Sequence, residues 1–224
     1  MISMTRLFIA TRNAHKVGEI QAILGNGYSY QTLRDFPGAP EIVEDANTFA
    51  GNATKKAQEL AHWLGSMDSL KSNRSSEFVL ADDSGLEVDA LHGAPGVHSA
   101  RFAALENGAR GNAADAANNA KLLQLLQHIP TSKRTARFRC VIALVAVEQP
   151  EARPPWLFDG TCEGRIGFAP RGHGGFGYDP LFVPTGFEIS FAELGEATKN
   201  QMSHRAQALE RLKAHLTQLP RSAF

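Results

Sequence analysis

Two hydrophobic periods alternate along the chain. Leu7 to Ala10 form a short unbroken apolar run, the pattern of a buried strand, after which Val17, Ile20, Ile23 and Leu24 recur at helical spacing until Gly25 supplies a stop. A second helix is predicted from about Thr48, with Phe49, Ala53, Ala57, Leu60, Ala61 and Leu64 on one face and Asn47 or Thr48 as its cap. The polar, Ser-rich stretch Ser66 to Glu77 reads as a surface loop before a strand at Phe78 to Ala81. In "DDSGLEVDAL" a Gly turn is expected, with "LEVDAL" pairing back, and Gly93, Pro95 and Gly96 mark another turn. "AADAANNAKLLQLLQHI" predicts a helix ending before Pro130, and Ala136 to Val147 alternates at Phe138, Cys140, Ile142 and Leu144 as a long, half-buried, central strand should. A Pro-rich connection, a turn at Asp159-Gly160, the strand "TCEGRIGF" and the Gly-rich "PRGHGGFGYDP" lead to a last amphipathic helix after Ser203, with Ala206, Leu209, Leu212, Leu216 and Leu219 near one face. Strands alternating with helices, with one hairpin-like stretch, indicate an α/β fold on a mixed sheet. Neither an internal repeat nor a linker divides it, so residues 1–224 read as one domain with room for two lobes.

Composition narrows the functional classes. Of 224 residues 43% are hydrophobic, enough for a sizeable core, and 23 basic side chains balance 23 acidic ones. No broad basic surface for duplex nucleic acid is implied, so any anion site must be local. The longest apolar run near the N-terminus is far too short for a signal segment or a membrane span, and a soluble cytoplasmic protein is expected. Cys140 and Cys162 lack metal-ligand or redox spacing and read as packed residues.

The candidate chemistry sits in four stretches. "ATRNAHKVGEI" places Arg12, His15 and Lys16 in a helix's first turn, where the dipole disfavours cations by a few tenths of a kcal/mol to about 1 kcal/mol each. Either Thr11, Asn13 and Lys16 form an anion site with free backbone N–H groups, or the turn is simply solvated. Asp82 and Asp83 follow an apolar strand with side chains on opposite faces, so one can be structural and the other chemical, holding Mg²⁺ or taking a proton from water; a turn cap is the competing reading. Glu44 and Asp45 are possible second metal carboxylates or merely complement the helix starting near Thr48. "GHGGFG" matches the dinucleotide-binding pattern literally but opens no helix; it reads as a loop whose backbone approaches a ligand, with Phe176 free to stack on a flat base, or as a turn with Phe176 packed inward. Lys199, His204 and Arg205 surround the helix start at Ser203, suited to phosphate or carbonyl oxygens or else solvated.

Together "ATRNAHKVGEI", "TFAGNATKKA", "ADDSGLEVDAL", "GAPGVHSARFA", "ARFRC", "GGFGYDPLF" and "SHRAQAL" resemble the inosine triphosphate pyrophosphatase family nearly end to end. The resemblance implies an elongated, two-lobed α/β homodimer with a long mixed sheet flanked by helices and an active-site cleft between lobes. It implies Mg²⁺-dependent, house-cleaning hydrolysis of ITP, dITP and XTP to the monophosphate and pyrophosphate, with neither nucleic acid nor membrane as partner. Carried over by position, Thr11, Arg12, Asn13, Ala14, His15 and Lys16 correspond to the triphosphate-binding segment and Asp83 to the general base and a metal ligand, with Glu44 as second carboxylate. Ser84 corresponds to a substrate contact, Phe176, Gly177, Tyr178 and Asp179 to the base-binding loop, and Lys199, His204 and Arg205 to the remaining nucleotide contacts. The chain departs from the family at Gly51, where Glu is usual, and in the length of the Ser66 to Glu77 stretch. A related pyrophosphatase for modified pyrimidine triphosphates and a non-hydrolytic nucleotide-binding module are the alternative readings.

Overall fold

Strand β1 (Arg6–Ile9) is followed by helix α1 (Ala14–Leu24), which buries Ile20, Ile23 and Leu24 and ends where Gly25 turns to positive φ. The structure is a computed structural model and describes residues 4–67, 77–107, 111–148 and 150–219; the predicted loop therefore lies, over 68–76, outside the described residues. Strand β2 (Ser29–Thr32) pairs in parallel with β1. Helix α2 (Phe49–Ser66) is capped by Thr48, whose hydroxyl accepts the Gly51 N–H, and every apolar position predicted for its inner face is buried. Phe36 bridges β1 and α2, its ring 5.8 Å from Phe8 and 6.0 Å from Trp63.

Strand β3 (Glu77–Val88) overturns the turn expected at "DDSG": it runs straight through Asp82, Asp83, Ser84 and Gly85, and "LEV" extends the same strand instead of pairing back. Asp and Gly favour turns where their polar groups meet water. Here Asp82 and Asp83 are buried and supplied with cationic partners, so the local preference is overridden. The strand ends at the 3-10 turn Asp89–Leu91, where the Val88 N–H donates to the Ala94 carbonyl. Helix α3 (Asp115–Leu125) precedes β4 (Thr135–Ala146), which is exposed and buried by turns up to Cys140 but buried throughout from Cys140 to Val145. The alternation predicted for the whole strand thus holds for its first half only, because its second half is covered on both faces.

Strand β5 (Trp156–Ile166) passes unbroken through Asp159-Gly160, so no turn forms there. Arg211 holds that point, donating to the Asp159 carbonyl and side chain. Strand β6 (Phe182–Pro184) pairs antiparallel with β5, and the sheet order is β2-β1-β3-β4-β5-β6, a mixed sheet with helices interspersed along the chain. Short helices α4 (Phe191–Leu194) and α5 (Glu196–Met202) lead into α6 (His204–Gln218). None of the described helices is long and apolar enough to cross a membrane.

Two compact units result. One comprises Met1–Asp83, Val141–Asp159 and Ala208–Phe224; the other comprises Ser84–Cys140 and Gly160–Gln207. The core of the second joins Leu86 and Val88 to Leu122 of α3, Leu126 just after it, Phe138 of β4 and Phe182 and Phe191, with ring centroids 4.7 Å apart for Phe138 and Phe182. Arg134 is 1% exposed and donates to the carbonyls of Leu126 at 2.6 Å, Gly167 at 2.8 Å and Ile129 at 2.9 Å, with its guanidinium 3.9 Å over the Phe168 ring. The fork ties the carbonyls of Leu126 and Ile129, in the connection after α3, to that of Gly167 after β5, and the Leu126 carbonyl also accepts the Ile129 N–H. Arg134→Met should destabilise the protein by roughly 3 kcal/mol in urea unfolding, since buried carbonyls lose their donors, whereas a change within 0.5 kcal/mol would show that these bonds contribute little.

Candidate active site

Strand β3 delivers two consecutive carboxylates, and each meets a lysine from a different helix. Lys16, on the first turn of α1, places Nζ 2.5 Å from Asp82 Oδ1, a carboxylate fully removed from solvent. Lys56, on α2, donates to the Asp82 carbonyl at 2.9 Å and stands 3.1 Å from Glu44 Oε1 and 3.5 Å from Asp83 Oδ1. Asn52 Nδ2 donates to Asp83 Oδ2 at 3.1 Å, and Asn52 Oδ1 accepts the Ala46 N–H, tying the segment that carries Glu44 to the same residue. Of the two carboxylates Asp82 is thus engaged by Lys16, while Asp83 faces Glu44.

Burial pushes the Asp83 carboxyl up to about 6; the nearby charges of Lys56 and Lys16 oppose this and that of Glu44 adds to it. Glu44 moves the other way: burial would raise it, but the charge and hydrogen bond of Lys56, the charge of Lys16 and a hydrogen bond with Asp83 hold it below the ordinary value. Two neighbouring carboxyls with opposite displacements are suited to acid–base work or to a shared cation. Hard oxygen donors of this kind fit Mg²⁺. Among the described residues no cluster of three or more acidic, His or Cys side chains could hold a metal, so phosphate oxygens and water must complete any coordination.

The turn before α1 is more committed than its sequence suggested. Asn13 Oδ1 accepts the N–H groups of His15 at 2.9 Å and Lys16 at 3.2 Å, and Thr11 Oγ1 accepts the Asn13 N–H at 3.1 Å. Two of the N–H groups expected to be free for an anion are therefore capped by Asn13. Arg12, Asn13, Ala14 and His15 are exposed, Thr11 and Lys16 half-buried.

A second group forms in the other unit. Lys199 Nζ lies 2.6 Å from Asp179 Oδ2 and 4.5 Å over the Phe176 ring, and the same carboxylate oxygen accepts the Phe176 N–H at 2.9 Å. Arg205 Nη2 donates to Ser84 Oγ at 2.7 Å with its guanidinium 5.7 Å from the Phe176 centroid. Lys199, His204 and Arg205 are no more than 4% exposed, which removes the solvated-face alternative. His204 stacks on Phe138 at 4.8 Å and 12°. Gly175, at φ +72, is required because a Cβ there would stand 2.1 Å from Asp179 Oδ2. Tyr178 turns inward and donates from its hydroxyl to the Ser99 carbonyl, burial raising its pKa. The structure thus gathers Ser84, Phe176, Asp179, Lys199 and Arg205, and gives the Tyr178 side chain to the core.

Sequence reasoning missed Lys56 and Asn52. Their signal was available: Phe49, Asn52, Ala53, Lys56, Ala57 and Leu60 fall on one helical face, so two polar groups occupy core positions and need buried partners. Gly51 also acquires a reason, since a Cβ there would stand 2.8 Å from Ala46 Cβ and 3.0 Å from Thr48 Oγ1.

Known proteins share this chain's pattern. The Ham1 family model matches residues 7–215. The dITP/XTP pyrophosphatase of Geobacter sulfurreducens is 48% identical over 214 residues, covering 95% of this chain and 97% of that one. That of Exiguobacterium sibiricum is 46% identical over 213 residues, with 95% and 97% covered. Among solved structures, a HAM1 protein from Coxiella burnetii superposes with a TM-score of 0.78 at 39% identity, covering 96% of this chain and 99% of that one. A family model spanning nearly all the described residues and relatives near half identity along the full length place the chain in the Ham1 family.

Proposed function

We propose that this protein hydrolyses ITP, dITP and XTP to the nucleoside monophosphate and pyrophosphate with Mg²⁺, acting as a cytoplasmic homodimer on free nucleotides, through one domain spanning residues 1–224. The enzyme class and the kind of substrate rest on relatives named dITP/XTP pyrophosphatase. The observation that carries the mechanism is Asp83, a buried acid raised to about 6 and hydrogen-bonded to Asn52, whose chain neighbour Ser84 is bonded to Arg205 beside Phe176. Two buried free cysteines and balanced charge support a soluble protein of a reducing compartment with no nucleic-acid or membrane partner.

Each residue's part follows from its chemistry. Lys16 binds the triphosphate: its ammonium is a point charge suited to phosphate, and the contact with Asp82 fixes Nζ in place. Thr11, Arg12, Asn13, Ala14 and His15 form the rest of the phosphate-facing turn. Asp83 takes the proton of the water that attacks the α-phosphorus, with Asn52 and Lys56 orienting its carboxylate. Asp83 and Glu44 would hold the Mg²⁺, which when bound supplies charge neutralisation for the triphosphate and the leaving pyrophosphate. Phe176 stacks on the base within the loop of Gly177, Tyr178 and Asp179. Lys199 is a further nucleotide contact, and Arg205 or His204 supplies a donor that matches a 6-oxo group, whereas the 6-amino group of adenine would set donor against donor, a mismatch able to reject by orders of magnitude.

The decisive assay incubates the protein with Mg²⁺ and ITP, XTP, dITP, ATP, GTP or a modified pyrimidine triphosphate and separates pyrophosphate from orthophosphate. Pyrophosphate should be the direct product and ITP should far outrun ATP; orthophosphate as direct product, equal rates on ATP, or binding without turnover would each refute the reading. Asp83→Asn should lower kcat by roughly 10²-fold or more if Asp83 takes the proton, and near-normal turnover would remove it from the chemistry.

Lys16 also has a structural share, which its sequence position did not disclose. Lys16→Met should lower the stability of the ligand-free protein by about 2 kcal/mol, because the buried Asp82 carboxylate loses a close cation. Adding Asp82→Asn should recover much of that loss in a denaturant-monitored double-mutant cycle. Independent, additive effects would mean that the pair contributes nothing to the fold.

A further inference from the structure

Helix α3 carries two polar side chains, four residues apart, that act on the two peptide groups flanking Gly177 in the loop at 176–179. Asp115 Oδ2 accepts the Gly177 N–H at 2.6 Å, and Asn119 Nδ2 donates to the Gly177 carbonyl at 3.0 Å. Both polar groups of Gly177 are therefore held from the same helix, and Gly177 itself sits at φ +62 between Phe176 and Tyr178. On its other side Phe176 is tied through its N–H to Asp179. The ring that lies under Lys199 and near Arg205 is thus oriented by a backbone pinned on both flanks.

Neither α3 residue is accounted for by helix stability alone. Asp115 opens α3, yet its carboxylate goes to Gly177, and the N-cap Ala114 provides no side-chain cap. Asn119 is 7% exposed, and its Oδ1 has no hydrogen-bond partner among the described residues. A buried amide that leaves its oxygen unpaired is costly. A Leu at that position would serve the core better if nothing needed the Gly177 contact. The neighbouring Asn118 shows what an anchoring amide does elsewhere on the helix, engaging the Ala103 N–H and the Ala100 carbonyl.

We propose that Asp115 and Asn119 are positioning residues for base selection: by clamping the peptide groups on either side of Gly177 they fix the tilt and depth of the Phe176 ring and so decide which purine can be held against the buried cations. The inference rests on the reading of 176–179 as the base-contacting loop. A stacked base is discriminated by the hydrogen bonds it can reach once its plane is set, so a looser loop lets a wrong purine find a compromise pose. The correct base loses most, because its fit depends on the fixed plane. Neither residue touches the reacting phosphorus, and substrate lacking a base should not sense the clamp.

The test compares kcat/KM for ITP, GTP and ribose 5′-triphosphate in the wild type and in Asp115→Ala, Asp115→Asn and Asn119→Ala. The ITP-to-GTP ratio should fall about fivefold or more in the two alanine variants, chiefly through a higher KM for ITP, since small misplacements of a bound group cost large factors. Asp115→Asn keeps an oxygen that can accept the Gly177 N–H and should retain the wild-type ratio. Turnover of ribose 5′-triphosphate should stay as in the wild type. Unchanged ratios in folded alanine variants overturn the inference, as does a parallel fall on ribose 5′-triphosphate, which would mark a merely structural role. Asp115 is exposed, so its alanine variant decides the matter even where Asn119→Ala does not fold. A wild type that does not cleave ITP would instead remove the functional reading, and the inference with it.

Discussion

Two carboxylates on consecutive residues of a buried strand impose the main constraint on the first unit. Buried charge is tolerated only when paired and hydrogen-bonded. Asp82 and Asp83 face opposite sides of β3, so one cation cannot serve both side chains equally. The chain answers with Lys16 from α1 and Lys56 from α2, each reaching β3 over a long sequence separation. The seating of both helices is thereby tied to the chemistry of one dipeptide. The arrangement is asymmetric: Asp82 lies against Lys16 at 2.5 Å, while Asp83 has Lys56 at 3.5 Å with Glu44 alongside and is left protonatable near neutral pH. That asymmetry gives two neighbouring acids of one residue type different ionisation behaviour.

The second unit repeats the rule with the signs arranged differently. Lys199 and Arg205 are almost fully buried, and each is met by a group from another segment, Asp179 and Ser84 respectively, with the Phe176 ring beside both. Arg134, just before β4, is held by backbone carbonyls instead of a carboxylate, two in the connection after α3 and one after β5. Glycine enters where packing leaves no room: at Gly175 the Asp179 carboxylate passes at a distance no Cβ would allow.

Much of the fold was legible because its signals are local. The first two helices and their caps, the last helix, the short apolar strands and the α/β class follow from periodicity and punctuation, and Thr48 and Gly25 act as read. What failed were turns inferred from Asp-Gly chemistry at Asp82 to Gly85 and at Asp159-Gly160. At the first place the two lysines neutralise buried Asp groups and let the strand continue, whereas at the second the pairing of β5 in the sheet prevails beside an exposed ion pair with Arg211. A single-sequence reading has no access to such partners. It did have access to Asn52 and Lys56, polar residues in core positions of an otherwise apolar helix face, and to Asn119 on the face that carries Leu122 and Leu126. Polar interruptions of a hydrophobic stripe were the informative positions, more so than the exposed basic residues that drew notice first.

The basic first turn of α1 shows why. Read along the sequence, Arg12, His15 and Lys16 look alike, three cations placed against a helix dipole. In the fold Lys16 is half-buried and reaches the buried Asp82 carboxylate, while Arg12 and His15 are exposed. The dipole penalty for Lys16 is offset by Asp82 before any ligand arrives, and Asn13 caps the N–H groups behind it. A cation already immobilised by a buried carboxylate loses little further freedom when it meets a phosphate, and its charge need not be reorganised during the reaction. Lys199 is held in the same way by Asp179. On the proposed function, pairing that looks like neutralisation in the free protein is also preorganisation: each buried acid holds its cation in one place before a ligand arrives.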